Sequence, residues 1–111
     1  MVGAAGIVAK AVNGTTWSTM TVTGVTASTN LYAVTHANSG ARMIAGEAGG
    51  HGRYFRRDAD PSAPFVAATV NNNPLYAAWA FEPYYDGDDE EVEEDILIGG
   101  ANGYTYLQRF V

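Results

Sequence analysis

A tripeptide that returns together with its surroundings constrains this chain more than anything else in it. Leu31-Tyr32-Ala33 recurs as Leu75-Tyr76-Ala77, 44 residues later. Each copy is followed by an apolar run ending in Gly-x-x-Gly: Met43-Ile44-Ala45-Gly46-Glu47-Ala48-Gly49, then Leu97-Ile98-Gly99-Gly100-Ala101-Asn102-Gly103. A third Gly-x-x-Gly, Gly3-Ala4-Ala5-Gly6, opens the chain 43 residues before Gly46. Leu31 to Gly49 is 18 residues and Leu75 to Gly103 is 28; removing the ten residues 86–95, an acidic block, restores the register. The return to the next Leu-Tyr-Ala takes 25 residues from Gly6 and 26 from Gly49. A period of about 40 to 45 residues, made of short strands and glycine turns, is the spacing of β-propeller blades. The sequence therefore predicts a single all-β domain over 1–111. Its antiparallel strands form about two propeller-like blade repeats, open-ended, with an acidic insert at 86–95.

Strand signals place strands at 6–12, 15–22, 31–36, 41–45, 53–57, 65–70, 75–81, 95–99 and 104–110. Asn13-Gly14 is the strongest hairpin signal. Asn38-Ser39-Gly40 and Asn71-Asn72-Asn73-Pro74 mark further turns, and the glycine-dense stretch 46–52 reads as a turn that allows positive φ. No helix of credible length is expected. Taking the Leu-Tyr-Ala strand as the first of a blade, the chain runs through two strands of one blade, four of the next and three of another. Few repeats bury their faces poorly on their own, and open sheet edges are usually paired or covered. The expected partners are thus further copies or other structural chains. A homotrimer is the preferred stoichiometry, because three copies would supply about six blades, within the closed range. The expected anchors are Trp17, Trp79, Tyr104, Tyr106 and Phe110, since large aromatics dominate contact hot spots. Arg53, Arg56 and Arg57 add the chain's one cationic cluster.

The net charge of −6 is a local property. Eight of the twelve carboxylates fall within 86–95, leaving four against six Lys and Arg elsewhere, so the body is slightly basic. This argues against nucleic acid as a partner. Hard cations favour clustered carboxylates, which makes Asp86, Asp88, Asp89 and Glu90 a calcium candidate. Gly87 falls at the second position of that block rather than the sixth, so the EF-hand pattern is not met. A solvated insert, or an electrostatic contact to a basic surface of a neighbouring copy, accounts for the same residues. Two histidines, His36 and His51, without a third ligand at metal spacing predict no metal centre. Cysteine is absent, which removes disulfides and thiol chemistry. The serines lack a nucleophile elbow, the glycine stretch lacks the Lys-Ser/Thr of a phosphate loop, and nothing in the sequence brings Glu47 and Glu82 together as an acid–base pair. No cofactor and no enzymatic activity are expected. No run of apolar residues is long enough to span a membrane. The opening residues lack the basic and apolar regions of an export signal, which predicts a virion or else a cytoplasmic location.

Val12-Asn13-Gly14-Thr15-Thr16-Trp17, followed by a strand, a loop, Leu-Tyr-Ala-Val and Ile-Ala-Gly-Glu-Ala-Gly, resembles the short repeats of Asp-box propellers. These include sialidase-type and photosystem II assembly-factor-like repeats. Gly14, Thr16 and Trp17 match the Ser-x-Asp-x-Gly-x-Thr-Trp signature; Lys10 and Val12 stand where Ser and Asp would be, and residues 58–65 replace the motif in the second repeat. The resemblance implies blades joined by hairpin turns. It implies no active site, because those motif residues stabilise a turn.

Small size, abundant small residues (18 Ala, 13 Gly, 10 Thr) and open edges lead to the expectation of a non-enzymatic structural or assembly protein. A phage-type virion component, decorating a capsid or belonging to a tail, is the specific expectation. The alternative is a two-blade lectin whose copies close a propeller and whose seven Tyr and two Trp supply a sugar platform.

Overall fold

The computed structural model describes residues 1–11, 14–37, 39–60, 62–81, 84–85 and 92–110. They form an all-β chain of antiparallel strands that does not close into a barrel. In order, these are β1 (Ala9–Ala11), β2 (Trp17–Thr19), β3 (Thr29–His36), β4 (Arg42–Ala48), β5 (His51–Arg57), β6 (Val66–Asn71), β7 (Leu75–Ala80), β8 (Tyr84–Tyr85), β9 (Val92–Gly100) and β10 (Thr105–Phe110). They divide into three sheets. β1 and β2 pair as a hairpin, extended by a Val2–Val8 bridge and by two hydrogen bonds between Met1 and Ala9. β3-β4-β5-β6 is a four-stranded meander, and β7-β9-β10 is the third sheet, with β8 added at the end of β9.

The repeat seen in the sequence is repeated in the hydrogen-bond register. Leu31 pairs with Gly46 and Leu75 with Gly100, and each leucine is followed by a bulge that brings its next-but-one residue, Ala33 or Ala77, into line. Rows of directly opposed residues then correspond across the two sheets. Val34–Ile44–Phe55 matches Ala78–Ile98–Tyr106, and Thr35–Met43–Arg56 matches Trp79–Leu97–Leu107. The turns are less uniform. Gly3–Gly6 and Gly100–Gly103 share one shape, an extended first glycine leading into a three-residue 3₁₀ turn with Ala5 or Asn102 at φ 57°. Gly46–Gly49 departs from it. β4 runs through Gly46 to Ala48 and β5 restarts at His51, so the turn is only Gly49-Gly50, at φ 61° and 81°. Two consecutive positive φ values are the type I′ turn that matches strand twist. The wider turn expected over 46–52 is therefore corrected to two residues.

Two further expectations change. Among the described residues the first strands are shorter than expected, because residues 4–6 are occupied by the 3₁₀ turn and the strand ladder covers Ala9–Ala11 and Trp17–Thr19, with one further hydrogen bond from Met20 N–H to the Val8 carbonyl. The acidic block is not wholly an excursion either. Val92 and Glu93 pair with β8, and Glu94 and Asp95 pair with β10, so residues 92–95 belong to β9, and Asp95 is buried. Residues 86–91 lie outside the described residues.

Burial follows from stacking. One core, Val8, Val22, Leu31, Ile44, Phe55 and Phe65, fills the space between the first and middle sheets. The other, Met43, Ala45, Leu75, Ile96 and Ile98, lies between the middle and last sheets. Alternate residues of β4 feed opposite cores, which is why Met43-Ile44-Ala45 is apolar throughout: a strand covered on both faces has no solvent side to keep polar. β10 keeps the period-2 pattern, with Tyr104 and Tyr106 turned to the second core and Thr105 and Leu107 exposed.

Candidate interaction surfaces

Stacked sheets leave one question for any surface they present: which faces are covered. Met43 and Ala45, on the face of the middle sheet that meets the last sheet, are both 0 % exposed. Their register equivalents in the last sheet are Leu97 and Gly99. There the face looks outward, and its central row is Trp79–Leu97–Leu107, with Ala77 and Phe81 on the same side by strand alternation. Trp79 is 67 % exposed, and Phe81 and Leu107 are exposed as well. The equivalent row of the middle sheet, Thr35–Met43–Arg56, is less apolar, with Met43 fully buried and Thr35 and Arg56 half-buried. A contiguous apolar row on a sheet face is a feature that soluble monomers keep small.

The expected anchors divide between the two environments. Trp79 sits at the centre of the outward face. Trp17 is 55 % exposed on β2 and lines a cleft between the first and middle sheets. Tyr104 and Tyr106 are half-buried against the second core, where the Tyr106 ring stacks on Tyr54 with centroids 5.7 Å apart. They hold the last sheet to the middle one and are not free for a partner. Phe110 ends β10. The arginine cluster is split by the period of β5: Arg53 lies over the Phe55 ring at 5.6 Å and Arg57 over Phe65 at 5.0 Å, on the first-core side, while Arg56 takes the other side, 3.9 Å from Asp58. Period-2 alternation alone could have shown that these three do not form one patch.

Burial, then the neighbouring Tyr106 hydroxyl, pushes the Tyr54 phenol up to about 12. Burial also raises Tyr104. The exposed Asp60 carboxylate is held below its ordinary range by hydrogen bonds from the Ser62 backbone N–H and hydroxyl, at 2.9 and 2.7 Å, an arrangement that closes a turn.

A second surface lies at the bulges. Tyr32 and Tyr76, equivalent residues of β3 and β7, are both exposed, with ring centroids 5.2 Å apart. The Tyr32 hydroxyl donates to Glu47 Oε1 at 2.7 Å, and this bond to a carboxylate holds the phenol proton above its ordinary pKa. Asn30, whose side chain lies by Tyr32, accepts from the Ala5 N–H through Oδ1, and at the equivalent turn of the last sheet the Asn102 amide donates to Asn73 Oδ1 at 2.7 Å. No sequence signal beyond the repeat itself pointed to this pairing of tyrosines.

Among the described residues no group of three His, Asp or Glu side chains could hold a metal. The calcium candidates Asp86, Asp88, Asp89 and Glu90 lie outside the described residues, as does Glu82. No helix among the described residues is long and apolar enough to cross a membrane. Compared with protein-family models, with curated proteins and with solved structures, the chain matches none.

Proposed function

We propose that this chain is a structural and assembly module whose sheets are propeller-type blades and whose uncovered sheet face is completed by another copy. One observation carries this reading: Leu97 and Gly99 hold positions whose equivalents in the middle sheet, Met43 and Ala45, are sealed by a neighbouring sheet, while the same face carries the exposed Trp79 and Leu107. A virion component that decorates a capsid or forms part of a tail fits such a module, because copies or lattice neighbours then supply the missing layer. Burying one large apolar side chain contributes about 1.5–3 kcal/mol. The Trp79→Ser variant is therefore expected to weaken association by roughly 30-fold, with little effect on the isolated fold. Sedimentation of the full chain over a concentration series tests this. A stable monomer throughout the micromolar range would refute it.

The glycan-binding alternative draws on the Tyr32–Glu47–Tyr76 cluster, in which exposed aromatic rings adjoin a carboxylate and the Asn30 amide, a combination suited to stacking and hydrogen-bonding a sugar. A glycan array distinguishes the two readings. Saturable binding that is lost in Tyr76→Ala favours the lectin; silence across sugars leaves the structural role.

A further inference from the structure

β3 and β4 are sealed on one face and only partly covered on the other. On the second-core face β7 packs against both strands, and Met43 and Ala45 are buried there. On the first-core face Ile44 is buried with Val8 and Phe65, but Val34 stays 46 % exposed, and His36 and Arg42 are exposed. In the last sheet the register equivalents of His36 and Arg42 are Ala80, half-buried, and Ile96, fully buried, both packed in the second core. The first-core face of β3 and β4 therefore opens into a cleft of about 450 Å³. Val34, Ile44, Phe65 and Trp17 give it an apolar lining, and Lys10 and Arg42 add two cations. At the other end of the stack, β7 turns the exposed Trp79 outward. The molecule thus carries a large exposed aromatic at one end and an apolar cleft at the other.

We propose that copies associate head to tail, the outer face of β7 in one copy seating on the cleft of the next, with Trp79 over Val34 and Ile44. The inference rests on the self-association reading and deepens it by naming the surface that the Trp79 face meets. The contact extends one the chain already makes. Within a copy β7 lies against one face of β3 and β4; the neighbour's β7 takes the other face, so the alternation of layers continues from copy to copy. The chemistry matches as well. An indole buries a large apolar area and draws cations to its ring face, and the cleft offers an apolar lining together with Lys10 and Arg42. Pairing two Trp79 faces with each other would leave the cleft of each copy, with the exposed Val34 and Trp17, open to water. The head-to-tail contact covers both surfaces. Being heterologous, it propagates beyond two copies, as a closed ring or an open filament.

Sedimentation velocity of the full chain and two single variants tests this by complementation. The parent is expected to form species larger than two copies. Val34→Asp, which places a charge in the cleft, is expected to weaken association at least about tenfold, as Trp79→Ser does at the other end. Both variants should keep a cooperative thermal transition; if Val34→Asp loses it, the uncharged Val34→Ser takes its place. An equimolar mixture of the two variants is the decisive sample. Trp79→Ser retains an intact cleft and the Val34 variant an intact Trp79, so the mixture should form a complex of two copies and nothing larger. A mixture that stays monomeric would overturn the proposal. So would a Val34 variant that associates as strongly as the parent while Trp79→Ser does not; in that case self-association stands, through two Trp79 faces, and this contact does not. A parent chain that stays monomeric throughout the micromolar range overturns both.

Discussion

Three glycines at one position of the repeat show how a single α-carbon is constrained by what approaches it. At Gly46 an added β-carbon would overlap the Asn30 carbonyl, and at Gly100 the Pro74 carbonyl, the residue before the repeated leucine in each case. At Gly3, whose backbone is extended like that of Gly100, nothing lies within 4 Å. Gly46→Ala and Gly100→Ala are therefore expected to destabilise by about 2–3 kcal/mol, whereas Gly3→Ala should stay within about 0.5 kcal/mol of the parent; urea titration measures all three. Tyr54 gives a pH prediction at the same scale. Its folded pKa of about 12 lies above the ordinary value of 10.0, so the folded state holds the proton more tightly. Its contribution is fully present below pH 10 and is lost as pH rises toward 12. Tyr54→Phe removes a group that ionises over that window. Its stability should fall less steeply there than that of the parent, as read from denaturation midpoints at successive pH values.

Among the elements, β4 and β9 are the informative pair, because they are register equivalents in different surroundings. Met43 is sealed between two sheets and Leu97 between one sheet and solvent. Met43→Ala is expected to cost about 2–5 kcal/mol, and Leu97→Ala roughly half of that or less at concentrations where the chain is monomeric. If the two costs prove equal in dilute solution, the last sheet is covered without a second copy. The β8–β9 hairpin makes a second prediction. Tyr85 and Val92 face one another, so their register needs only a short closing turn. Replacing residues 86–91 by Asn-Gly, a two-residue hairpin turn, should move the melting temperature by no more than about 4 °C.

As a whole, the molecule is a stack of three sheets in which the middle one contributes to both cores. Two cores that share one sheet couple the ends of the chain: Phe55 packs toward the first sheet and Tyr54, next to it, toward the last. Phe55→Ala, expected to cost about 3–5 kcal/mol, should therefore loosen the whole stack in one transition, visible as coincident loss of far- and near-ultraviolet circular dichroism. Association adds a signature at this scale. Anything that binds only the folded state raises its apparent stability by mass action, so the melting temperature should climb with protein concentration in the parent chain and flatten in Trp79→Ser.

How much of this was legible beforehand depends on the range of the forces involved. The Leu-Tyr-Ala spacing, the hairpins and the all-β character follow from the sequence, because glycine conformations, turn chemistry and strand alternation are local. The placement of Leu31 and Leu75 at matching positions follows as well, since equal spacing between equal turns sets equal register. The acidic block was harder to bound, because residues 92–93 are drawn into β9 by pairing with Tyr84 and Tyr85 and residues 94–95 by pairing with Arg109 and Phe110, and neither pairing leaves a hydrophobic period. The aromatics show the limit most directly. Trp79 and Tyr106 both sit in strands of apolar and small residues, yet one faces solvent and the other the core, and only the stacking of a third sheet on the second decides which. The Arg42–Arg57 pair belongs to the tertiary structure alone: the two come from neighbouring strands, and only the antiparallel register sets their like charges opposite one another.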